Sequence, residues 1–140
     1  MLVVDASVLA TALADDGRDG DTCRARLRGE SLTAPELIDL EVASILRRQW
    51  AKGQLPERRA LQALTDLADL PLRRAPHRPL LARCWELRHN LTVHDAAYVA
   101  LAAVLGATLL TADAKLAGAP DLPCAVELLR GTRPRADTRA

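Results

Sequence analysis

The chain has 140 residues, a length that predicts one domain able to bury a core without disulfides. Its 19 Lys and Arg nearly balance its 18 Asp and Glu, and the net charge of +1 excludes nucleic-acid binding by overall charge alone. With no Phe, one Tyr and two Trp, the core must be aliphatic, and binding of single strands through stacked aromatic rings is not expected.

The cysteines and the N-terminal segment indicate a cytoplasmic protein. Cys23, Cys84 and Cys124 lie far apart and form no CxxC pattern, so we expect a reducing compartment and no structural zinc site. The N-terminus lacks the basic segment that is typical of a signal peptide. Residues 96–112 are uncharged, but Gly106 interrupts them, which favours a buried helix followed by a strand over a membrane span.

Strands and helices alternate along the chain. In chain order we predict strand 2–4, helix 6–14, helix 19–28, strand 32–33, helix 33–52, helix 56–69, strand 72–74, helix 79–89, helix 95–105, strand 108–110, a short helix after residue 113 and strand 125–128. The start of the third helix is predicted from a capping box, Thr33 with Glu36, around the early proline Pro35. This alternation predicts an α/β fold with a parallel sheet that is covered on both faces.

The C-terminal residues 131–140 differ in composition from the rest of the chain. They are polar and contain Pro134 and three Arg, which predicts a disordered tail. We therefore expect a single domain over residues 1–130, with no internal repeat.

Two acids follow predicted strands. Asp5 comes directly after Leu2-Val3-Val4, and Asp113 follows Leu109-Leu110-Thr111-Ala112. In an open α/β sheet, ligands bind outside the carboxyl ends of the strands, so both acids are candidates for a functional site. Taken alone, each is better explained as the N-cap of the helix that follows it. Ser7 and Thr111 are hydroxyl residues two positions from an acid and could support the same site.

Glu41 lies on a predicted helix face that is otherwise largely apolar. Its neighbours three and four positions away are Leu37, Ile38, Ser44 and Ile45. A buried carboxylate without a partner is costly, so Glu41 indicates a functional site. The alternative is a salt bridge to Arg48 on the same side of the helix.

Asp95 begins a long apolar helix. Thr92-Val93-His94-Asp95 matches a capping box, so Asp95 is either a helix cap or a fourth acid of the site. His94 adjoins it and could approach the site, although a surface histidine is the simpler interpretation.

Four carboxylates that converge would require a counter-charge. Two unit charges about 4 Å apart repel by about 4 kcal/mol at an effective dielectric near 20. Oxygen ligands without a His or Cys set favour Mg²⁺ or Mn²⁺ over zinc. Such a site suits phosphodiester hydrolysis.

The residues around these acids resemble the PIN-domain ribonucleases, and in particular the VapC toxins of bacterial toxin–antitoxin pairs. The resemblance covers residues 1 to about 130 and rests on four segments, 4–9, 35–43, 94–96 and 110–113, each of which contains one of the acids. Members of the family often have an aromatic residue shortly after the last acid, where this chain has Leu116.

The resemblance implies a three-layer α/β/α sandwich with a central parallel sheet. It implies a Mg²⁺- or Mn²⁺-dependent endoribonuclease in which Asp5, Glu41, Asp95 and Asp113 are the catalytic, metal-binding acids. Ser7 and Thr111 would take the supporting polar positions. It further implies a homodimer that a VapB-like antitoxin inhibits.

Two sets of basic residues are candidates for contacts to RNA phosphates. Arg47, Arg48 and Lys52 follow Glu41 on one predicted helix, and Arg24, Arg26 and Arg28 lie on another. Either set could instead be an ordinary solvated helix face.

Two other functions are compatible with the sequence. The chain could be a catalytically silent binding partner whose acids are caps and salt bridges. It could also be another Mg²⁺-dependent phosphotransfer domain, although Ser7 stands where a DxD nucleophile motif would have its second acid.

Overall fold

The computed structural model describes residues 1–130, and the tail predicted at 131–140 lies outside the described residues. A five-stranded sheet with the order β3-β2-β1-β4-β5 forms the centre, and every pairing in it is parallel. The strands are β1 Leu2–Val4, β2 Leu32–Pro35, β3 Leu72–Ala75, β4 Thr108–Thr111 and β5 Val126–Leu128. The predicted parallel sheet is confirmed.

Helices connect the strands and cover both faces of the sheet. They are α1 Ala6–Ala14, α2 Arg18–Leu27, α3 Ile38–Ala51, α4 Glu57–Asp69, α5 Leu81–Glu86, α6 Val93–Leu105 and α7 Ala114–Ala117. The chain moves outward from β1 through β2 to β3, and then crosses back to β4 on the other side of β1. Because such crossovers are right-handed, α1–α4 cover one face of the sheet and α5–α7 cover the other. The fold is the predicted three-layer α/β/α sandwich.

Aliphatic side chains form the core, as the composition predicted. Val3, Val4, Leu109 and Leu110 in the two central strands are fully buried, so both faces of the sheet must be covered by helices. The uncharged stretch that follows Asp95 is the buried helix α6, which ends at Gly106 in a left-handed conformation (φ 62°). Within residues 1–130, no helix is long and apolar enough to cross a membrane.

The predicted start of the third helix is wrong. Thr33 and Pro35 lie in β2, where they pair with Arg73 and Ala75 of β3. Residues 32–35 are all buried, so sheet pairing and burial outweigh the local preference for a helix cap.

Helix α3 begins at Ile38, and its cap comes from a distant part of the chain. The Leu37 amide donates to Nε2 of His77 at 2.8 Å. Glu36 is exposed, and its amide donates to the Ala75 carbonyl instead of forming part of a capping box. A histidine 40 residues away thus accepts the N-cap amide, the role that the predicted capping box gave to Glu36.

The other differences concern the lengths of elements. The helix predicted at 79–89 is a single 3₁₀ turn, Arg78–Leu80, followed by the short α5. Helix α6 begins two residues before its predicted start, and β2 is longer than predicted. None of these differences changes the order of strands and helices.

Candidate active site

The site lies between β1 and β4, where the order of the strands reverses direction. The two strands pair in register, Val4 beside Leu110, and the Asp5 amide donates to the Leu110 carbonyl at 2.9 Å. Asp5 and Thr111 therefore stand next to each other at the carboxyl edge of the sheet. This switch point is where open α/β sheets leave a crevice for ligands.

Both carboxylate oxygens of Asp5 are held in place. Its Oδ1 accepts the Ala6 amide at 2.8 Å, and its Oδ2 accepts the hydroxyls of Ser7 at 2.9 Å and Thr111 at 2.7 Å. The side chain is buried, with 8% of the residue exposed. Asp5 is thus both the N-cap of α1 and the most enclosed acid of the crevice, so the two interpretations of its role are compatible.

The same two hydroxyls connect Asp5 to the loop that follows β4. The Ala112 amide donates to Oγ of Ser7 at 3.2 Å, and the Asp113 amide donates to Oγ1 of Thr111 at 3.0 Å. Ser7 and Thr111 therefore set the position of Asp5 relative to Asp113, which is the supporting role that the sequence predicted for them.

Asp113 is exposed and lies between β4 and α7, next to the crevice. Its Oδ1 accepts the Lys115 amide at 2.9 Å and so caps α7. Its charge still contributes to the raised pKa of Asp5. Asp113 therefore acts as a cap and faces the crevice at the same time.

Glu41 is half-buried in the first turn of α3 and is not paired with Arg48. Its Oε1 accepts the hydroxyl of Tyr98 from α6 at 2.6 Å. Arg48 instead donates to Oγ of Ser44 at 3.3 Å. The salt bridge considered as the alternative to a functional role is therefore not formed.

Asp95 lies in the first turn of α6. Its amide donates to Oγ1 of Thr92 at 3.2 Å, so the predicted cap at Thr92 is formed. The carboxyl group is partly buried, and the charges of Asp5 and Asp113 both raise its pKa. Asp95 thus belongs to the same group of charges as the strand-end acids.

Three of the four acids have raised pKa values. Burial is the largest cause for each of Asp5, Glu41 and Asp95, and the charge of a neighbouring acid adds to it in every case. Hydrogen bonds from Thr111 to Asp5 and from Tyr98 to Glu41 oppose the increase in pKa.

Within residues 1–130, no Lys or Arg forms a salt bridge with any of the four acids. The charge of His94 lowers the pKa of Glu41 and Asp95, but only as a minor cause. The crevice is therefore a region of uncompensated negative charge, which favours a bound cation.

The donor set fits a hard divalent cation. All four acids provide carboxylate oxygens, which Mg²⁺ and Mn²⁺ prefer. In the part of the chain that the structure describes, no three or more His, Cys, Asp or Glu side chains are grouped closely enough to hold a metal ion by themselves. Mg²⁺ usually keeps several waters and binds protein through only one or two carboxylates, so it does not need a complete set of protein ligands.

Comparison with known proteins identifies the family. A family model described as the PIN domain matches residues 2–122. The chain belongs to the PIN-domain family. It is also 44% identical over 129 residues to Ribonuclease VapC1 of Mycobacterium tuberculosis, in an alignment that covers 91% of this chain and 97% of that protein.

Further relatives and solved structures agree with this PIN-domain assignment. Ribonuclease VapC9 of the same species is 38% identical, over 92% of this chain and 98% of its own. A crystal structure of M. tuberculosis VapC20, described as a sarcin-ricin loop cleaving toxin, has a TM-score of 0.62 at 18% identity and covers 78% of this chain and 87% of its own. A structure from Pyrobaculum aerophilum has a TM-score of 0.64 at 24% identity, over 89% and 82%. These two structures support the fold alone.

Tyr98 is the site residue that the sequence analysis missed. It is fully buried, and its hydroxyl reaches Glu41. Burial and the hydrogen bond to Glu41 strongly raise its pKa, so the phenol stays protonated. The available signal was that Tyr98 is the chain's one Tyr and lies three residues after Asp95, on the same face of a helix.

The two candidate sets of basic residues differ in their partners. Arg47, Arg48 and Lys52 on α3 are exposed. Arg24 and Arg26 on α2 are held by Asp21, Glu30 and Glu127, and only Arg28 of that set is exposed. The α3 set is therefore the one whose cations can meet a ligand without breaking internal salt bridges.

Proposed function

We propose that this PIN-domain protein is a metal-dependent endoribonuclease that acts as the toxin of a VapBC-type pair. The observation that carries the proposal is the group of four acids without Lys or Arg partners at the switch point between β1 and β4. The relatives with 36–44% identity, which are named as VapC ribonucleases, support the same activity.

Asp5, Glu41, Asp95 and Asp113 would hold Mg²⁺ or Mn²⁺ and are the proposed catalytic acids. When bound, the metal supplies charge for the phosphate oxygens and lowers the pKa of a coordinated water. Asp5 is already oriented for this role, because three hydrogen bonds hold its two oxygens. Ser7 and Thr111 act through Asp5, so they are positioning residues.

RNA would be recognised mostly through its phosphates. Arg48 lies two turns after Glu41 on the same side of α3, which makes it the best placed of the three basic candidates. Arg47 borders the groove between α3 and α4, and Lys52 ends the helix. Guanidinium groups make bidentate contacts with phosphate, so Arg48 would orient the backbone beside the metal-binding acids.

A VapB-like antitoxin and a second copy of the chain are the proposed protein partners. Large apolar side chains are exposed on both helical layers, which is consistent with partner surfaces. They include Leu40, Trp50 and Leu61 on one layer and Leu81, Trp85 and Val104 on the other. The cytoplasmic location and the extent of the domain, 1–130, stay predictions.

Cleavage of RNA by matched variants tests the activity. Wild type should cleave RNA with Mg²⁺ or Mn²⁺ and stop when EDTA is added. Asp5→Asn should lower the cleavage rate at least about 100-fold. Loss of a residue that only hydrogen-bonds to a metal ligand typically costs less than that. The control is Asp69→Asn, since Asp69 is an exposed acid at the end of α4, where the chain leads into the amino end of β3.

The same variants separate the alternatives. Cleavage that survives EDTA, or that is equal in Asp5→Asn, would contradict the proposal. If the purified wild type neither cleaves RNA nor releases heat with Mn²⁺ in calorimetry, the chain is a silent binding partner. A phospho-aspartate trapped at Asp5 would instead indicate a phosphotransfer domain.

A further inference from the structure

Tyr98 is the one aromatic side chain in residues 1–130 that is fully buried, and it ends at an acid of the crevice. A buried tyrosine hydroxyl needs a partner, and here the partner is Oε1 of Glu41 at 2.6 Å. That length is typical of a hydroxyl donating to an ionised carboxylate. The contact is therefore a short hydrogen bond from a neutral hydroxyl to a carboxyl oxygen.

The hydrogen bond joins the two helical layers across the end of the sheet. Glu41 lies on α3, and Tyr98 lies on α6, one turn after Asp95. The ring of Tyr98 is enclosed by the core, so its hydroxyl has little freedom to move. The rigid side chain of Tyr98 therefore fixes the distance between Glu41 on α3 and Asp95 on α6.

Only one oxygen of Glu41 is used in this contact. Oε1 accepts from Tyr98, and no hydrogen bond within residues 1–130 is formed to Oε2. A carboxylate has lone pairs on both oxygens, so Oε2 stays able to bind a cation. After burial, the charges of Asp5 and Asp95 both raise the pKa of Glu41, so Glu41 lies near these two acids of the crevice.

Without this contact, a cationic side chain on the same helix could compete for Glu41. Arg48 lies seven residues after Glu41 on α3 and is exposed. The two residues are about 10 Å apart along the helix axis, so only a fully extended Arg48 could approach Glu41. The phenol, in contrast, holds Glu41 without adding a positive charge that would repel a metal ion.

We propose that Tyr98 is a positioning residue for metal binding: its hydroxyl holds Oε1 of Glu41 so that Oε2 points at the metal site together with Asp5 and Asp95. The proposal rests on the metal-dependent function proposed above. Tyr98 touches neither metal nor substrate, so it acts only through Glu41. Residues that orient metal ligands in this way commonly change metal affinity by about 10- to 100-fold.

Tyr98→Phe removes the hydroxyl and keeps the buried ring. We expect the dissociation constant for Mn²⁺, measured by calorimetry, to rise about tenfold. The Mn²⁺ concentration for half-maximal RNA cleavage should rise by the same factor, and cleavage at saturating Mn²⁺ should stay within a few-fold of wild type. This split between metal affinity and maximal rate is the sign of a positioning residue, because Tyr98→Phe keeps the buried ring and removes only the contact with Glu41.

Val99→Ala is the matched control for packing. Val99 is the next residue on α6 and is also fully buried, but its side chain has no polar group that could contact Glu41. It should lower the thermal midpoint and leave the Mn²⁺ dissociation constant unchanged. An equal rise of that constant in Val99→Ala and Tyr98→Phe would overturn the proposal, since helix packing would then explain both.

A double-mutant cycle tests whether Tyr98 acts through Glu41. In a Glu41→Gln background, Tyr98→Phe should have no further effect on Mn²⁺ affinity. Additive losses would overturn the proposal, as would an unchanged dissociation constant in Tyr98→Phe alone. Absence of Mn²⁺ binding by wild type would instead contradict the proposed function, so the two failures are distinguishable.

Discussion

Acids occur in two different electrostatic settings in this molecule. In the crevice, Asp5, Glu41 and Asp95 lie close to one another, and burial and mutual charge raise their pKa values. Between α2 and β5, Arg26 binds Glu127 through two nitrogens and Glu30 through a third, and the pKa of Glu127 is lowered. The second setting shows that this fold can pair its acids with arginine, whereas the crevice acids have no Lys or Arg partner within residues 1–130. This contrast supports the proposed cation site in the crevice.

A single turn of α3 contains both settings. Asp39 accepts two hydrogen bonds from Arg74 at 2.8 and 2.9 Å. Glu41, two residues later, accepts only the neutral hydroxyl of Tyr98. The same helix therefore offers two acids of opposite role for a matched comparison.

The largest expected effect comes from neutralising these two acids one at a time. Glu41→Gln should raise the Mn²⁺ dissociation constant about 100-fold, since it removes a proposed ligand rather than a ligand's partner. Asp39→Asn should leave Mn²⁺ affinity unchanged and lower the free energy of unfolding by about 1 kcal/mol, the value of a partly exposed pair. Calorimetry and urea unfolding measure the two quantities. If Asp39→Asn weakened Mn²⁺ binding as much, the contrast between the two settings would fail.

A smaller effect is expected from Thr111→Val, which keeps the shape of the side chain. It removes a donor to Asp5 and the acceptor for the Asp113 amide. We expect cleavage at subsaturating Mn²⁺ to fall about tenfold, because both acids lose part of their support. Thr65→Val is the control, since Thr65 is an exposed residue on α4 whose hydroxyl only donates to Leu61. A matching loss in both variants would count against the role of Thr111.

Arg26→Ala should affect stability and leave metal binding unchanged. The side chains of Arg26, Glu127 and Glu30 are 29%, 39% and 30% exposed, so solvent screens the pairs. We expect a loss of about 1 kcal/mol in the free energy of unfolding and an unaltered Mn²⁺ dissociation constant. A large fall in Mn²⁺ affinity would show that the α2–β5 network supports the crevice.

The two settings should also respond to pH in opposite directions. The pKa of Glu41 in the metal-free folded state lies above its ordinary value of about 4.5. At pH values between these two pKa values, the folded state therefore binds more protons than the unfolded state. Stability from this group is therefore lost as pH rises through that window. The lowered pKa of Glu127 has the reverse effect, with stability lost as pH falls below 4.5.

Urea unfolding of Glu41→Gln in EDTA measures this effect, the smallest of the series. The variant should be more stable than wild type near pH 8, and the advantage should disappear as pH approaches 4. Excess Mn²⁺ should reverse the order near pH 8, because metal binding stabilises the wild type. A variant that is less stable than wild type in EDTA at pH 8 would contradict the raised pKa of Glu41.

Much of the fold could be predicted because local signals and tertiary packing agree. The apolar strands next to Asp5 and Asp113, and the buried helix that ends at Gly106, form as predicted. The third helix was predicted too early because Thr33 and Pro35 match a capping signal, while their burial in the sheet depends on β1 and β3. Such pairing is not visible in a local window of sequence.

The candidate acids and the hydroxyls of Ser7 and Thr111 could be proposed from the sequence, but the partner of Glu41 could not. A carboxylate after an apolar strand or on an apolar helix face is unusual in itself, which is why Asp5 and Glu41 were found. Tyr98 was given no role from the sequence, because nothing in its local surroundings shows which group its hydroxyl contacts. Its contact with Glu41 joins residues 57 positions apart and depends on how α3 and α6 meet.

The histidine cap of α3 has a consequence for how the site is assembled during folding. Leu37 finds its hydrogen-bond acceptor in His77, so the start of the helix that carries Glu41 is completed only after β3 and the following turn are in place. Contacts this distant in sequence form late, because the intervening chain must first be ordered. A nascent chain that ends before residue 77 would lack this acceptor as well as Asp95, β4 and Asp113, so we expect nuclease activity to appear only after β4 has joined the sheet.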